Sequence, residues 1–269
     1  TTGVTVQAGA ALSLAVATGA YFGTQPLTLN GNGSTAGQNG ALVNVIGSNT
    51  YAGDLVLGSS ATISVDADAL DMTGSSVTGT GTLTLTGNGT GSISAGLTHT
   101  GGLSKTGAGT WTLTGTGGTN SGVLSISAGT LNLAGGAIGS ASGTTLAGGV
   151  LNLTAGGQSL GNLTIPASAR TLVTVAGGSA LSSGSTITRG VGGTVAFDIA
   201  AVGSSLPSTA TGSGSNNLLG YVQVTDATGT GVGHVSGGNI VRFDSTTATV
   251  LTDSTNNAAT DYTTLGMAS

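Results

Sequence analysis

The chain has 269 residues, 52 of them glycine, with nine acidic and four basic side chains, a net charge of −5 and no cysteine. Four scattered cations cannot form the basic face of a nucleic-acid binder, glycine lacks the three-residue period of collagen, and no disulfide can form. No apolar run reaches the length of a membrane helix, and near-absent Glu and Lys disfavour long helices, whereas abundant Thr, Val and Ile suit strands.

A strand pattern begins at once, in Thr1-Thr2-Gly3-Val4-Thr5-Val6. The stretch from Ala8 to Ala20 is apolar-rich. It is interrupted by Ser13, Thr18 and Gly19 and has no basic start, so it does not read as a retained signal peptide. Asn30-Gly31 and Asn32-Gly33 are hairpin-type dipeptides, which leaves a hairpin or an irregular coil open for the first 40 residues. Apolar–x–apolar pairs then recur at Val43/Val45, Ile63/Val65, Leu83/Leu85, Trp111/Leu113, Leu131/Leu133, Leu151/Leu153, Val173/Val175 and Val195/Phe197. The steps are 20 to 22 residues, except for one of 28 between Leu83 and Trp111. A fixed period of this size marks a solenoid, in which each unit is one coil and stacking makes the core. The long step, which contains Ile93, Leu97 and His99, implies an inserted loop or a displaced strand.

A second series, Leu103, Leu124/Ile126, Leu146, Leu163/Ile165 and Ile187, lies between members of the first. Each coil therefore carries at least two short strands separated by Gly/Ser/Thr turns. Successive strand side chains face opposite ways. With the leucines inward, Asn132 and Asn152 point outward and stack, and Thr112, Thr84 and Ser64 are expected to continue their file. Trp111 is expected in the core with Leu83, Leu131 and Leu151. The fold expected is all-β: a right-handed, single-stranded parallel β-helix with coils of about 20 residues and a length on the order of 50 Å. A sandwich of antiparallel hairpins is the alternative. Residues 1–202 are assigned to the coils and 203–218 to a Gly/Ser-rich loop. Residues 219–269 are assigned to a modified continuation of the solenoid, with strands at Tyr221–Val224 and Asn239–Phe243.

The segment Gly102-Leu103-Ser104-Lys105-Thr106-Gly107-Ala108-Gly109-Thr110-Trp111-Thr112-Leu113-Thr114-Gly115 resembles the core of the autotransporter-associated β-strand repeat. Gly122-Val123-Leu124-Ser125-Ile126-Ser127-Ala128-Gly129-Thr130-Leu131 resembles its continuation, and Asn49-Thr50-Tyr51-Ala52-Gly53 a further piece. The clear likeness spans Gly101 to Gly135. It implies a β-helical passenger domain at a bacterial cell surface and an architectural role without catalysis. The alternating ten-residue strands of a membrane barrel are absent from this sequence.

Candidate chemistry is sparse. Asp66, Asp68 and Asp71 form the densest acidic cluster and are the candidate calcium ligands, since converged carboxylates suit that cation. They lack the glycine-containing calcium loop, and a solvated turn is the simpler reading. The same acids are the candidates for a β-helical polysaccharide hydrolase or lyase, a reading opposed by the scarcity of basic and aromatic residues. His99 and His234 have no ligand-type neighbour in sequence; His99 is expected on an exposed loop and His234 at a turn or strand start. No catalytic and no cofactor-binding residue is assigned.

The function expected is that of a non-catalytic extracellular fibre or surface passenger segment, supporting extension, self-assembly or adhesion. The alternative is an adhesin module that grips a surface glycan or host protein through loops at Gly87 to His99 and Gly203 to Asn217. Strand pattern at one end and the uncapped Tyr262-Thr263-Thr264-Leu265-Gly266 at the other imply continuation in a longer chain or homotypic end-to-end contacts.

Overall fold

A computed structural model describes residues 3–34, 39–184, 186–199, 205–207 and 218–243. Among these there is no helix. Parallel coils stack into a β-solenoid of about 9 turns, with repeats ~22 residues apart. At the ~4.8 Å spacing of neighbouring strands the stack is roughly 40 Å tall.

Each coil has three segments. The first coil runs through Val4–Val6, Leu12–Ala15 and Tyr21–Phe22, and the second through Leu27–Gly31, Leu42–Ile46 and Asn49–Tyr51. Their pairing is parallel on all three faces, so the opening residues form coils and not a hairpin. In the third coil one strand, Leu55–Val65, serves two faces: its start pairs with Leu27–Leu29 and its end with Leu42–Asn44. From there two faces carry most of the hydrogen bonding. Sheet A continues through Leu83–Gly87, Leu103–Lys105, Leu124–Ile126, Gly143–Leu146, Asn162–Ile165 and Ile187–Arg189. Sheet B runs through Ala69–Met72, Thr90–Ile93, Thr110–Leu113, Thr130–Ala134, Val150–Ala155, Arg170–Val175 and Thr194–Asp198.

These assignments correct the reading of the 28-residue step. No loop is inserted there. Leu83 pairs with Leu103 on sheet A, whereas Trp111 lies on sheet B, so the step is a change of face. The rung below Trp111 is Thr90–Ile93, in which Gly91 takes the inward place. That glycine is required: a Cβ on it would lie 2.5 Å from the indole ring. Trp111 is fully buried in the file Leu70, Gly91, Trp111, Leu131, Leu151 and Val173, without Leu83. Its Nε1–H donates to the Thr86 carbonyl at 3.1 Å, so the one polar atom of the ring is satisfied. The segment from Gly87 to His99, expected as a loop, thus contains a paired strand.

The core is one continuous column from Val6 to Ile240, mainly Leu, Ile and Val with several alanines, Tyr51, Met72, Trp111 and Phe197. At the far end sheet B changes character. Leu218–Asp226 adds in parallel to Thr194–Asp198, then pairs antiparallel with Gly229–Ser236, which pairs with Asn239–Arg242. Ser205–Pro207 pairs antiparallel with that last strand; the rest of the Gly203–Asn217 loop, and residues 244–269, lie outside the described residues.

Candidate functional site

In the stacked coils several polar side chains bond to one another from coil to coil. On the outer face of sheet B, Asn152 Nδ2 donates to Asn132 Oδ1 at 2.8 Å, and Asn132 Nδ2 donates to Thr112 Oγ1 at 3.1 Å. Thr174 Oγ1 donates to Asn152 Oδ1. The Asn132–Asn152 stack and its continuation to Thr112 are as expected from sequence, but its further extension is not. Below Thr112 the register leads to Ser92, Asp71 and Thr50, whereas Thr84 and Ser64 stand on sheet A. There Thr62, Thr84, Ser104, Ser125, Thr145, Thr164 and Thr188 make a second hydroxyl file.

The three candidate calcium ligands belong to this coil-to-coil bonding. Asp68 Oδ2 accepts from the Gly47 amide of the preceding coil at 2.7 Å, and Asp71 Oδ1 accepts from Ser92 Oγ of the next at 2.7 Å. Asp66, just past the end of the strand Leu55–Val65, accepts from Ser64 two residues before it. All three are exposed, and they do not converge: among the described residues no group of three or more His, Asp or Glu side chains is placed to hold a metal ion. Asp54 behaves alike. Hydrogen bonds from the Ser75 hydroxyl, then from the Ser75 and Ser76 amides, hold its carboxyl below the usual carboxylate range.

His99 is fully buried, contrary to its expected place on an exposed loop. Its Nε2–H is placed to donate to the Gly102 carbonyl at 3.1 Å, and its Nδ1 has no partner. Burial pushes the imidazole pKa down, so the ring is neutral. His234 lies within the strand Gly229–Ser236, edge-on to Phe243 at 5.5 Å, and burial lowers its pKa too.

The sole lysine also lies inside. Lys105 is 0% exposed and takes the inward place between Leu85 and Ile126 on sheet A. Its ammonium donates to the carbonyls of Thr106 at 2.6 Å, Gly107 at 2.8 Å and Ala128 at 3.1 Å. It therefore ties one turn to the turn of the next coil, and a Cβ at Gly129 would stand 2.6 Å from the nitrogen. Burial pulls its pKa down to about 8. Composition did not reveal this. The signal available was alternation: Leu103-Ser104-Lys105 parallels Leu124-Ser125-Ile126, which puts the lysine inward.

An open groove of about 790 Å³ lies where sheet B meets the antiparallel strands. Leu172, Ala196 and Val232 give it an apolar floor, and Arg170, Thr194, Tyr221, Gln223, Thr230 and Arg242 add polar groups. Arg242 Nε donates to Asp226 Oδ2 at 3.1 Å, and a third arginine, Arg189, stacks on the Tyr221 ring at 5.1 Å from its centroid. Arg170 is exposed and makes no ion pair among the described residues. No family model matches the chain, and neither a similar curated protein nor a similar solved structure is found.

Proposed function

We propose that the chain is a structural segment of an extracellular fibre, a β-helical passenger at a bacterial cell surface that extends outward and supports adhesion without catalysis. The observation that carries this reading is the use made of polar groups. Asp54, Asp68, Asp71, Asn132, Asn152 and Lys105 each bond to the adjacent coil. A stack bonded in this way extends by addition of similar coils, with stability set by each coil and its neighbours. The likeness of Gly101–Gly135 to the autotransporter-associated repeat points to the same role.

Two measurements test it. An external protease or an antibody to the chain, applied to intact cells that make it, should reach it; a signal obtained only after lysis would overturn the extracellular placement. A spacer should also tolerate removal of whole coils. Deleting Thr110–Gly149, two repeats of 20 residues in register with Val150, should shorten the rod by roughly 10 Å and leave a folded solenoid. Loss of folding on that deletion would overturn the modular reading.

A further inference from the structure

We propose that the groove at the antiparallel end is a binding site for a carboxylate-bearing saccharide, such as a hexuronate oligomer. Three of the chain's four basic residues gather there: Arg170 and Arg242 line it, and Arg189 backs its tyrosine. The arrangement is unlike the rest of the molecule, where Lys105, the other cation, is buried and bound to backbone carbonyls.

The groups divide the work of recognition. Asp226 balances Arg242 and fixes its guanidinium, with Thr228 Oγ1 accepting from its Nη2 at 2.5 Å. Arg170 stands exposed across the groove, on the strand that pairs with Thr194–Asp198. A guanidinium offers a planar fork of donors that suits a carboxylate. Asp198 sits at the rung of Thr174 and Thr225, and neither it nor Asp226 lines the groove. Beside Arg170, Thr194, Gln223 and Thr230 supply hydroxyl and amide groups of both donor and acceptor type, as a polyhydroxylated ring needs. Tyr221 adds an aromatic wall held in place by Arg189, which is itself fixed through Nε to the Gly193 carbonyl at 2.8 Å. Leu172, 39% exposed, gives an apolar surface for the C–H face of a sugar. The volume falls within the range of small-ligand sites, about 300–1,000 Å³.

The proposal is independent of the fibre reading and can fail without it. The full chain is titrated calorimetrically at low salt with a galacturonate trimer, its methyl ester, a neutral galactose trimer and a sulfated trisaccharide. The acid should bind, and the ester and the neutral sugar should bind about 10-fold or more weakly, since each lacks the charge-assisted hydrogen bonds. Arg170→Gln should lose about 10-fold for the acid and leave the weak binding of the ester unchanged, and raising the salt should weaken the wild type more than the variant. Gln223→Ala should lose a few-fold for acid and ester alike. Unchanged thermal melting of both variants establishes that they remain folded. Equal binding of acid and ester, preference for the sulfated sugar, no binding of the acid, or an Arg170→Gln variant that binds like wild type would each overturn the assignment.

Discussion

The regular coils and the antiparallel end differ in what becomes of their polar side chains. Between Leu83 and Leu153 paired residues are 20 or 21 apart, and the outward Thr112, Asn132 and Asn152 bond to one another along the stack. Beyond Arg170 the steps lengthen to 24 and 27, from Arg170 to Thr194 and from Val195 to Val222. There Arg170, Thr194 and Gln223 surround an open groove. A constant period lets like side chains stack and, on the outer face of sheet B, bond to each other. A changing period, followed by a reversal of strand direction, leaves unlike side chains in register, and these are available to a ligand.

The sharpest way to break this contrast is to place a charge in the saturated region. Leu131 is fully buried between Trp111 and Leu151, so Leu131→Asp puts a carboxylate where no donor awaits it. A loss of about 3–5 kcal/mol is expected, with new protease cleavage between Thr110 and Leu153. Asn132→Asp, one residue away and facing outward, should cost about 1 kcal/mol, mainly the lost donor to Thr112. Limited proteolysis and chemical denaturation of the pair decide it. Equal resistance would refute the inward and outward assignment.

Lys105→Met tests whether a cation inside the regular coils is part of their bonding. The variant strips a donor from the carbonyls of Thr106, Gly107 and Ala128, and a loss of about 2 kcal/mol at pH 7 is expected. The pH dependence separates this from a packing defect. The folded-state pKa, about 8, lies below the usual 10.5, so between these values the unfolded chain holds more protons and wild-type stability rises with pH. The advantage over Lys105→Met should therefore grow between pH 8 and 10.5, by on the order of 2 kcal/mol. Tyr51 and Tyr221, whose pKa values burial raises, oppose the rise near pH 10, but equally in both proteins. Parallel denaturation curves at pH 7.5 and 9.5 with no change in the difference would refute the buried-ammonium account.

The period was legible because leucine, isoleucine and valine repeat wherever a coil turns its side chains inward. Face assignment failed at two rungs. Val43/Val45 is one residue out of register, since Leu42 and Asn44 are the partners of Ile63 and Val65. The second failure has a plain physical reason. Gly91 yields its inward volume to Trp111, so Gly91-Ser92-Ile93 shows no apolar–x–apolar pair and the series jumps from sheet A to sheet B. Filtering for apolar residues also hid inward polar ones. Lys105 is among them, as are Asn44 and Asn49, both buried, with Asn49 Nδ2 donating to Asn44 Oδ1 at 2.7 Å. The groove left no local signal at all. Arg170, Arg189, Tyr221 and Arg242 are spread over 73 residues and meet only because sheet B extends past Asp198 and turns back. Backbone pairing of that kind is a long-range property, invisible to a pattern read one coil at a time.

The smallest effect compares two outward amides on sheet B, Asn152 in the ladder and Gln223 at the groove. Asn152 donates to Asn132 and accepts from Thr174, so Asn152→Ala removes both contacts and leaves a half-buried oxygen and hydroxyl to find water. A loss of about 1 kcal/mol is expected. Gln223 is exposed and forms no side-chain hydrogen bond among the described residues, so Gln223→Ala should stay within about 0.5 kcal/mol of wild type. Denaturant titration of the two variants measures the difference directly. If Gln223→Ala costs as much as Asn152→Ala, the groove amide is part of the fold's own bonding, and the distinction between a saturated stack and an open end does not hold. A clear gap places the ladder among the forces that hold one coil on the next and leaves Gln223 free to serve a ligand.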